Sequence, residues 1–417
     1  MISKVQLQKT LNHEQPDKIV VDFGSTAVTG IHVKIVEELR SYYSLEKKIV
    51  RVIEPYQMLG EIDEDLMDAL GLDIVGAYGK ENMFGINNHL PCKEWKTPWG
   101  QIVLVPENFN QKKNEKGDIL IFPGGDQSVA PSAIMPASGY FFDAIIRQEP
   151  IVEEELDPKD NLEEFSFISD EDLKYWQNEI DRLSKTGKGI VVSPGGTALG
   201  DIALVPGMNL KQPRGIRDIS EWYMSTLMRT DYIKQIFEQQ VEIALYNLSR
   251  LNEVSGDKID VIFICGTDFG TQTSTFCSPE HFNNLWLPYY QRINNWIHTN
   301  TGWKTFKHSC GAVETFMDRF IDAGFDIINP VQVNATGMVP ALLKQKYGKN
   351  LVFWGGGVDT QKTLPFGTTN QVKEQVLKHC KIFGKDGGFV FNTIHNIQAN
   401  TPIENVVAMF NVLKTFS

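Results

Sequence analysis

The chain has 417 residues, 42% of them hydrophobic and 22% charged, with a formal net charge of -12. That balance supplies a sizeable core, and an acidic excess without a basic stripe argues against a nucleic-acid partner. No apolar run reaches the length of a membrane span and the first residues lack a signal-peptide core, so the expected location is the cytoplasm, away from membranes.

In chain order, Ser3 to Asn12 reads as an amphipathic helix with Val5, Leu7 and Leu11 on its apolar face, ending before Pro16. Ile19 to Gly24 then reads as a short buried strand, Gly30 to Tyr43 as a second helix and Glu61 to Ala69 as a third. Residues 1–70 are thus a mainly helical segment expected to pack on the rest of the chain. From about 70 to 150 the pattern turns to strands. Asp73 to Tyr78 is the first, and Gln101 to Val105 and Asp118 to Phe122 are expected to form a hairpin about the polar turn Asn114 to Gly117. Residues 82–100 read as an elaborated loop and the acidic stretch 150–175 as a solvated insertion.

The second half is more regular. Apolar strand candidates at 189–192, 261–265, 305–308, 326–329, 351–354 and 389–392 are separated by helical stretches at 218–250, 279–300, 312–323, 338–347, 370–383 and 402–415. Alternating buried strands and amphipathic helices mean parallel βα units. This many in series predicts an α/β fold of the (β/α)8 TIM-barrel type, one domain over residues 1–417, with a helical N-terminal extension and loop insertions. No GxGxxG follows the first strand, which counts against a dinucleotide-binding domain.

A barrel of this kind builds its site at the C-terminal ends of its strands. Those ends read Gly266 to Gly270, His308 to Gly311, Asn329 to Asn334, Gly355 to Gln361 and Asn392 to Asn396. Residues i and i+2 of a strand share a face, so His308 and Cys310 can reach one zinc ion together. His395, after the last strand, faces the same central space and is the natural third ligand. The five cysteines are scattered with no CxxC, so any metal is held by a mixed His/Cys set from distant parts of the chain. Asp268 is the candidate catalytic residue, and Gln332, Asn334 and Asp359 are candidate substrate-binding residues.

Each assignment has a plainer alternative. The His308/Cys310 pair also fits a buried thiol beside a capping histidine, and His395 fits a ring bonded to a backbone carbonyl. Asp268 and Asp359 also suit helix caps. Gly355 to Gly357 suits a tight turn, and no Lys-Ser/Thr follows to make it a phosphate loop. His13, His281, His298 and His379 lie away from strand ends and are read as non-catalytic.

Several motifs in a fixed order resemble one known family. Thr10 to Asp17 is similar to an opening "LNHxxPD" segment, and Asp268 to Gln272 with Ser278 to Glu280 and Pro288 to Tyr290 is similar to a central strand and helix. His308 to Gly311 matches an HxCG zinc motif, while Phe353 to Gln361 and Thr401 to Asn405 match closing signatures. Together they resemble the uroporphyrinogen decarboxylase superfamily, in its cobalamin-dependent methyltransferase branch. The resemblance implies zinc (Zn2+) on His308, Cys310 and His395, and a methyl group moving between a small-molecule donor and the cobalt of a corrinoid (cobalamin) protein. With no long extension to serve as a cobalamin domain, the corrinoid carrier is expected to be a separate protein partner.

Two departures narrow the expectation. No arginine-rich segment lies near residues 20–45, which counts against tetrapyrrole decarboxylation. The third zinc position, a cysteine in the thiol-methylating members, is His395 here. One thiolate and two neutral imidazoles leave zinc with a net charge of about +1, a stronger Lewis acid than a two-thiolate site. That favours demethylation of a methyl ether or similar donor, with Asp268 protonating or positioning the donor oxygen. The reverse transfer, from methylcobalamin to a thiol or folate, is the alternative reading, and a decarboxylase-like or non-catalytic barrel with structural zinc is another. The loops at 78–100, 122–142 and 193–216 are expected to shape the pocket, with Tyr140, Phe141 and Phe142 against an aromatic donor or in the packing.

Overall fold

The computed structural model describes residues 2–416. Eight parallel strands form its centre: β1 (Val20–Val21), β2 (Ile74–Tyr78), β3 (Gly189–Ser193), β4 (Val261–Cys265), β5 (Lys304–His308), β6 (Ile327–Asn329), β7 (Val352–Trp354) and β8 (Phe389–Phe391). They bond in the order β1-β8-β7-β6-β5-β4-β3-β2. The two ends of that sequence meet through Asp73, whose amide donates to the Val21 carbonyl at 2.9 Å and whose carboxylate accepts from the Val21 amide at 3.0 Å. This is the expected (β/α)8 barrel.

Strand alternation sorts the apolar side chains into two layers. Val191, Val261, Phe306, Ile327, Val352 and Val390 fill the barrel interior. Their neighbours Ile190, Ile262, Ile328, Phe353 and Phe391 point outward beneath the helices. The N-terminal helix Ile2–Leu11 adds Leu7 and Leu11 to the inner layer and so plugs the floor. It fits so closely that a Cβ on Gly189 would lie 2.2 Å from Leu7. The parity also fixes what faces the cavity above: positions 308 and 329 share the inward face with 306 and 327.

Other expectations needed correction. Gln101 to Val105 does not pair across the Asn114 turn. Strand Ile102–Pro106 pairs instead with Cys92–Lys96, inside the stretch read as a loop. The turn itself is real: Asn114 accepts the amides of Lys116 and Asp118 and joins Gln111–Lys113 to Ile119–Ile121, part of a separate four-stranded sheet. The strand at 92–96 was hidden because Lys93, Glu94 and Lys96 surround its one buried residue, Trp95.

The acidic stretch is not merely solvated. Glu164 meets Arg217 at 3.0 Å, and Arg217 is only 1% exposed; Glu153 pairs with Arg229. Helix Asp170–Ser184 follows, capped by Ser169. The helical run 218–250 is two helices, Ile219–Met228 and Thr230–Ser255, broken at Arg229 (φ -124°, ψ 43°). Similarly, 279–300 divides at Trp286 into Pro279–Leu285 and Leu287–Asn300. No helix among the described residues is long and apolar enough to cross a membrane.

Candidate metal centre

His308 ends β5 and sits in register with Asn329 on β6, both on the inward face. Its Nδ1 lies 2.6 Å from Asn329 Oδ1. The Asn329 amide is oriented by its own Nδ2, which donates to the Trp354 carbonyl at 2.9 Å. Only oxygen is therefore left for His308, so Nδ1 carries the proton and Nε2 keeps its lone pair. That lone pair faces Cys310 Sγ at 3.4 Å.

His395 arrives on the loop after β8, its ring centroid 5.6 Å from that of His308 and nearly perpendicular to it. Its backbone carbonyl, not its ring, takes the Thr393 hydroxyl hydrogen bond. One ligand atom each from His308, Cys310 and His395 fall within 4.8 Å of one another. The three residues named from the sequence as metal ligands are thus brought together.

The turn that delivers Cys310 depends on Gly311. Its φ is +92°, and a Cβ there would lie 2.4 Å from the Gly270 carbonyl carbon. Its amide donates to Gln332 Oε1 at 2.7 Å, while Gln332 Nε2 donates to Gln272. The neighbouring loop is fastened by Phe269 N to Ser309 Oγ at 2.9 Å and by Cys310 N to Asp268 Oδ1 at 2.7 Å. Asp268 thus touches the backbone of a ligand residue directly.

Burial sets the electrostatics. It pushes His308 down to about 4 and His395 to about 3, the latter aided by His308, so both rings are neutral near pH 7 and available as ligands. Cys310 is raised well above the ordinary thiol range by burial and then by the Asp268 charge, against Lys307. Without a cation its sulfur keeps the proton. Burial also raises Asp268, opposed by the Cys310 amide and Lys307, and holds nearby Asp201 up to about 6. Lys307 itself is buried, donating to the Thr267 and His308 carbonyls. Two imidazoles and a thiol at these separations could hold a metal ion, and the mixed nitrogen and sulfur set is compatible with zinc.

The remaining candidates hold the loops. Asn334 Nδ2 donates to Asp359 Oδ1 at 2.9 Å and to Gln361 Oε1 at 3.1 Å, and Asp359 Oδ1 accepts the Gln361 and Lys362 amides. Asn334 Oδ1 is buried and unpartnered. Gly355 to Gly357 form a tight turn: Cβ atoms at Gly356 and Gly357 would lie 2.5 Å from Val331 O and 2.2 Å from Phe391. His379 bonds the Gly356 carbonyl and His298 pairs with Asp326, away from the metal centre.

A cavity of about 470 Å³ adjoins Asp268. Only Gly200 comes from a loop expected to shape the pocket; the rest of its lining is drawn from 222–227, 267–269, 276–281 and Trp286, with His281 among them. Tyr140, Phe141 and Phe142 line a different cavity, and Phe142 is wholly buried against Phe84 and Phe109. Asn329, Lys307 and Tyr223 were not singled out from the sequence. Strand parity could have found Asn329, two positions beyond inward-facing Ile327.

The family model for Uroporphyrinogen decarboxylase (URO-D) matches residues 148–416. The chain belongs to this family. Among solved structures, the uroporphyrinogen decarboxylase-family chain is similar to a methyltransferase from Methanosarcina mazei, with 15% identity and a TM-score of 0.53, covering 99% of this chain and 98% of that one. That likeness shows the shared fold. Endo-glycoceramidase II from Rhodococcus sp. also matches, at 11% identity and a TM-score of 0.33, over 55% of this chain and 61% of that one. No curated protein sequence matches the chain.

Proposed function

We propose that this family member is a zinc-dependent methyltransferase. On this reading it moves a methyl group from a small-molecule donor, a methyl ether or similar compound, to the cobalt of a separate corrinoid protein. The observation that carries the reading is the convergence of His308, Cys310 and His395 within 4.8 Å beside the carboxylate of Asp268. The fold shared with the Methanosarcina mazei methyltransferase supports it. We read the chain as one domain acting in the cytoplasm.

His308, Cys310 and His395 would hold the zinc, which would supply Lewis acidity there and favour the thiolate form of Cys310. Asn329 fixes the His308 ring so that Nε2 faces the centre. Asp268 spends Oδ1 on the Cys310 amide, and Oδ2 is left to hold and deliver a proton. Its burial keeps that proton available closer to neutral pH than an exposed carboxyl would. In the transfer the methyl–oxygen bond breaks and the methyl goes to reduced cobalt, which supplies the electron pair. The donor oxygen leaves with the bonding pair and takes one proton, as an alcohol or phenol. On this reading Gln332, Asn334 and Asp359 would contact the donor, and the unpartnered Asn334 Oδ1 would offer a hydroxyl on it an acceptor.

The test is methyl loss from a panel of methoxylated donors with a reduced corrinoid protein, in the wild type and Asp268→Asn. The reading expects transfer in the wild type and a loss of about 10²-fold or more in the variant, the usual scale for general acid catalysis. Thiol methylation from methylcobalamin, with no loss from any donor, would replace it with the reverse reaction.

A further inference from the structure

One cavity in the molecule meets the metal centre through a shared side chain. Asp268 lines it while accepting the Cys310 amide, and much of its wall is aromatic: Trp222, Tyr223, Phe269, Phe276 and Trp286. Tyr223 and Phe276 lie face to face, with centroids 4.7 Å apart and planes inclined by 19°. Phe276 is nevertheless 44% exposed, as are Met224 and Leu227 beside it to still greater extents. So much apolar surface left to water around a cavity of about 470 Å³ suits a ligand that covers it.

The polar groups narrow the ligand. No lysine or arginine lines the cavity, and the one acidic side chain in its wall is Asp268, so nothing there would compensate a carboxylate or phosphate. A cation is disfavoured too. The Lys307 ammonium already lies 5.0 Å from the Phe269 ring centre, and would repel a second positive charge. The Tyr223 hydroxyl is buried without a hydrogen-bond partner. A buried donor left unpaired carries a penalty of about 1–3 kcal/mol, which an oxygen on the ligand would relieve.

Resting on the reading above that a methyl ether is the donor, we propose that this cavity takes an uncharged aryl methyl ether. Its ring extends the Tyr223–Phe276 stack, an oxygen substituent accepts the Tyr223 hydroxyl, and the methoxy oxygen is turned towards Asp268. Tyr223 and Phe276 then determine donor specificity, whereas His308, Cys310 and His395 serve any donor. The same two residues set which rings bind even when no corrinoid protein is present.

The experiment is a binding titration followed by quenching of Trp222 and Trp286 fluorescence, with 2-methoxyphenol, toluene, 4-methoxybenzoate and tetramethylammonium as probes. The wild type should bind 2-methoxyphenol in preference to the charged probes. Phe276→Ala, a change at an exposed ring, should weaken both neutral rings about three- to tenfold, the scale of one aromatic pair. Tyr223→Phe should weaken 2-methoxyphenol by a similar factor and leave toluene unchanged. Equal affinity in wild type and Phe276→Ala would overturn the proposal, as would tighter binding of either charged probe. A parallel methyl-transfer assay separates the two claims. Transfer from methanol without ring binding overturns the aromatic subsite alone. Ring binding with the predicted variant pattern, but no transfer from any donor, upholds the subsite and overturns the methyltransferase reading.

Discussion

His308 Nδ1 and Asn329 Oδ1 face each other at 2.6 Å across paired strands, and Asn329 is in turn held by the Trp354 carbonyl. The chain of bonds runs β7 to β6 to β5 and fixes one imidazole tautomer before any metal arrives. Such outer partners typically change metal affinity by about 10–100-fold when removed. Asn329→Leu should therefore weaken zinc binding by about that factor, measured by competition with a chromophoric chelator. Unchanged affinity would show that the ring is held by packing alone.

Gly311 makes a sharper case. An alanine Cβ there would lie 2.4 Å from one backbone atom and 2.5 Å from another, at a φ of +92°. Positive-φ strain alone is about 1–3 kcal/mol, and the clash forces the Cys310 turn to shift. Gly311→Ala should lower the melting temperature and lose zinc. Gly302→Ala, where a Cβ meets nothing within 4 Å, should do neither. Matching zinc contents in the two variants would contradict the role given to this turn.

The acidic stretch predicts a stability effect far from the His308, Cys310 and His395 cluster. Arg217 is fully enclosed and held by Glu164, with further bonds to the Asp160 and Arg214 carbonyls. Removing the closer carboxylate leaves the buried guanidinium only Glu163, at 3.5 Å, a loss of about 3 kcal/mol. Glu164→Ala should show that loss in urea denaturation. Arg214→Ala, at a 70% exposed side chain, should shift stability by less than about 1 kcal/mol. Equal effects would return the segment to a solvated insertion.

Glu54 gives the fold a pH dependence. Its carboxylate accepts the Tyr56 and Gln57 amides at 2.9 and 2.8 Å, yet burial raises it from 4.5 to about 7. The folded protein binds this proton more tightly than the unfolded chain does. Its contribution is therefore fully present below pH 4.5 and is lost as pH rises through about 7. The stability of the wild type relative to Glu54→Gln should fall across that window in denaturation curves. A constant difference would mean that the proton is bound equally in both states.

Short-range periodicity made part of this structure legible in the sequence. The barrel could be read because runs such as Gly189 to Val192 and Val261 to Cys265 are too short and too apolar for anything but buried strands. The His308/Cys310 pair was legible because a period of two puts both side chains on one face. Less was legible wherever the partner lies far along the chain. Nothing near Glu164 announces Arg217, and nothing near Asp268 announces Tyr223 on a helix from another part of the barrel rim. The strand at Cys92–Lys96 lacked an apolar pattern because a single side chain, Trp95, is buried there. The break at Arg229 carried no glycine or proline to mark it.

The central claim is that His308, Cys310 and His395 together hold a zinc ion. Elemental analysis of the protein purified with zinc tests it directly, on the wild type, His308→Ala, Cys310→Ala and His395→Ala. The account predicts about one zinc per chain in the wild type, as expected for a single three-ligand site, and a marked loss in each variant. A wild type without zinc, or full zinc in all three variants, would contradict it.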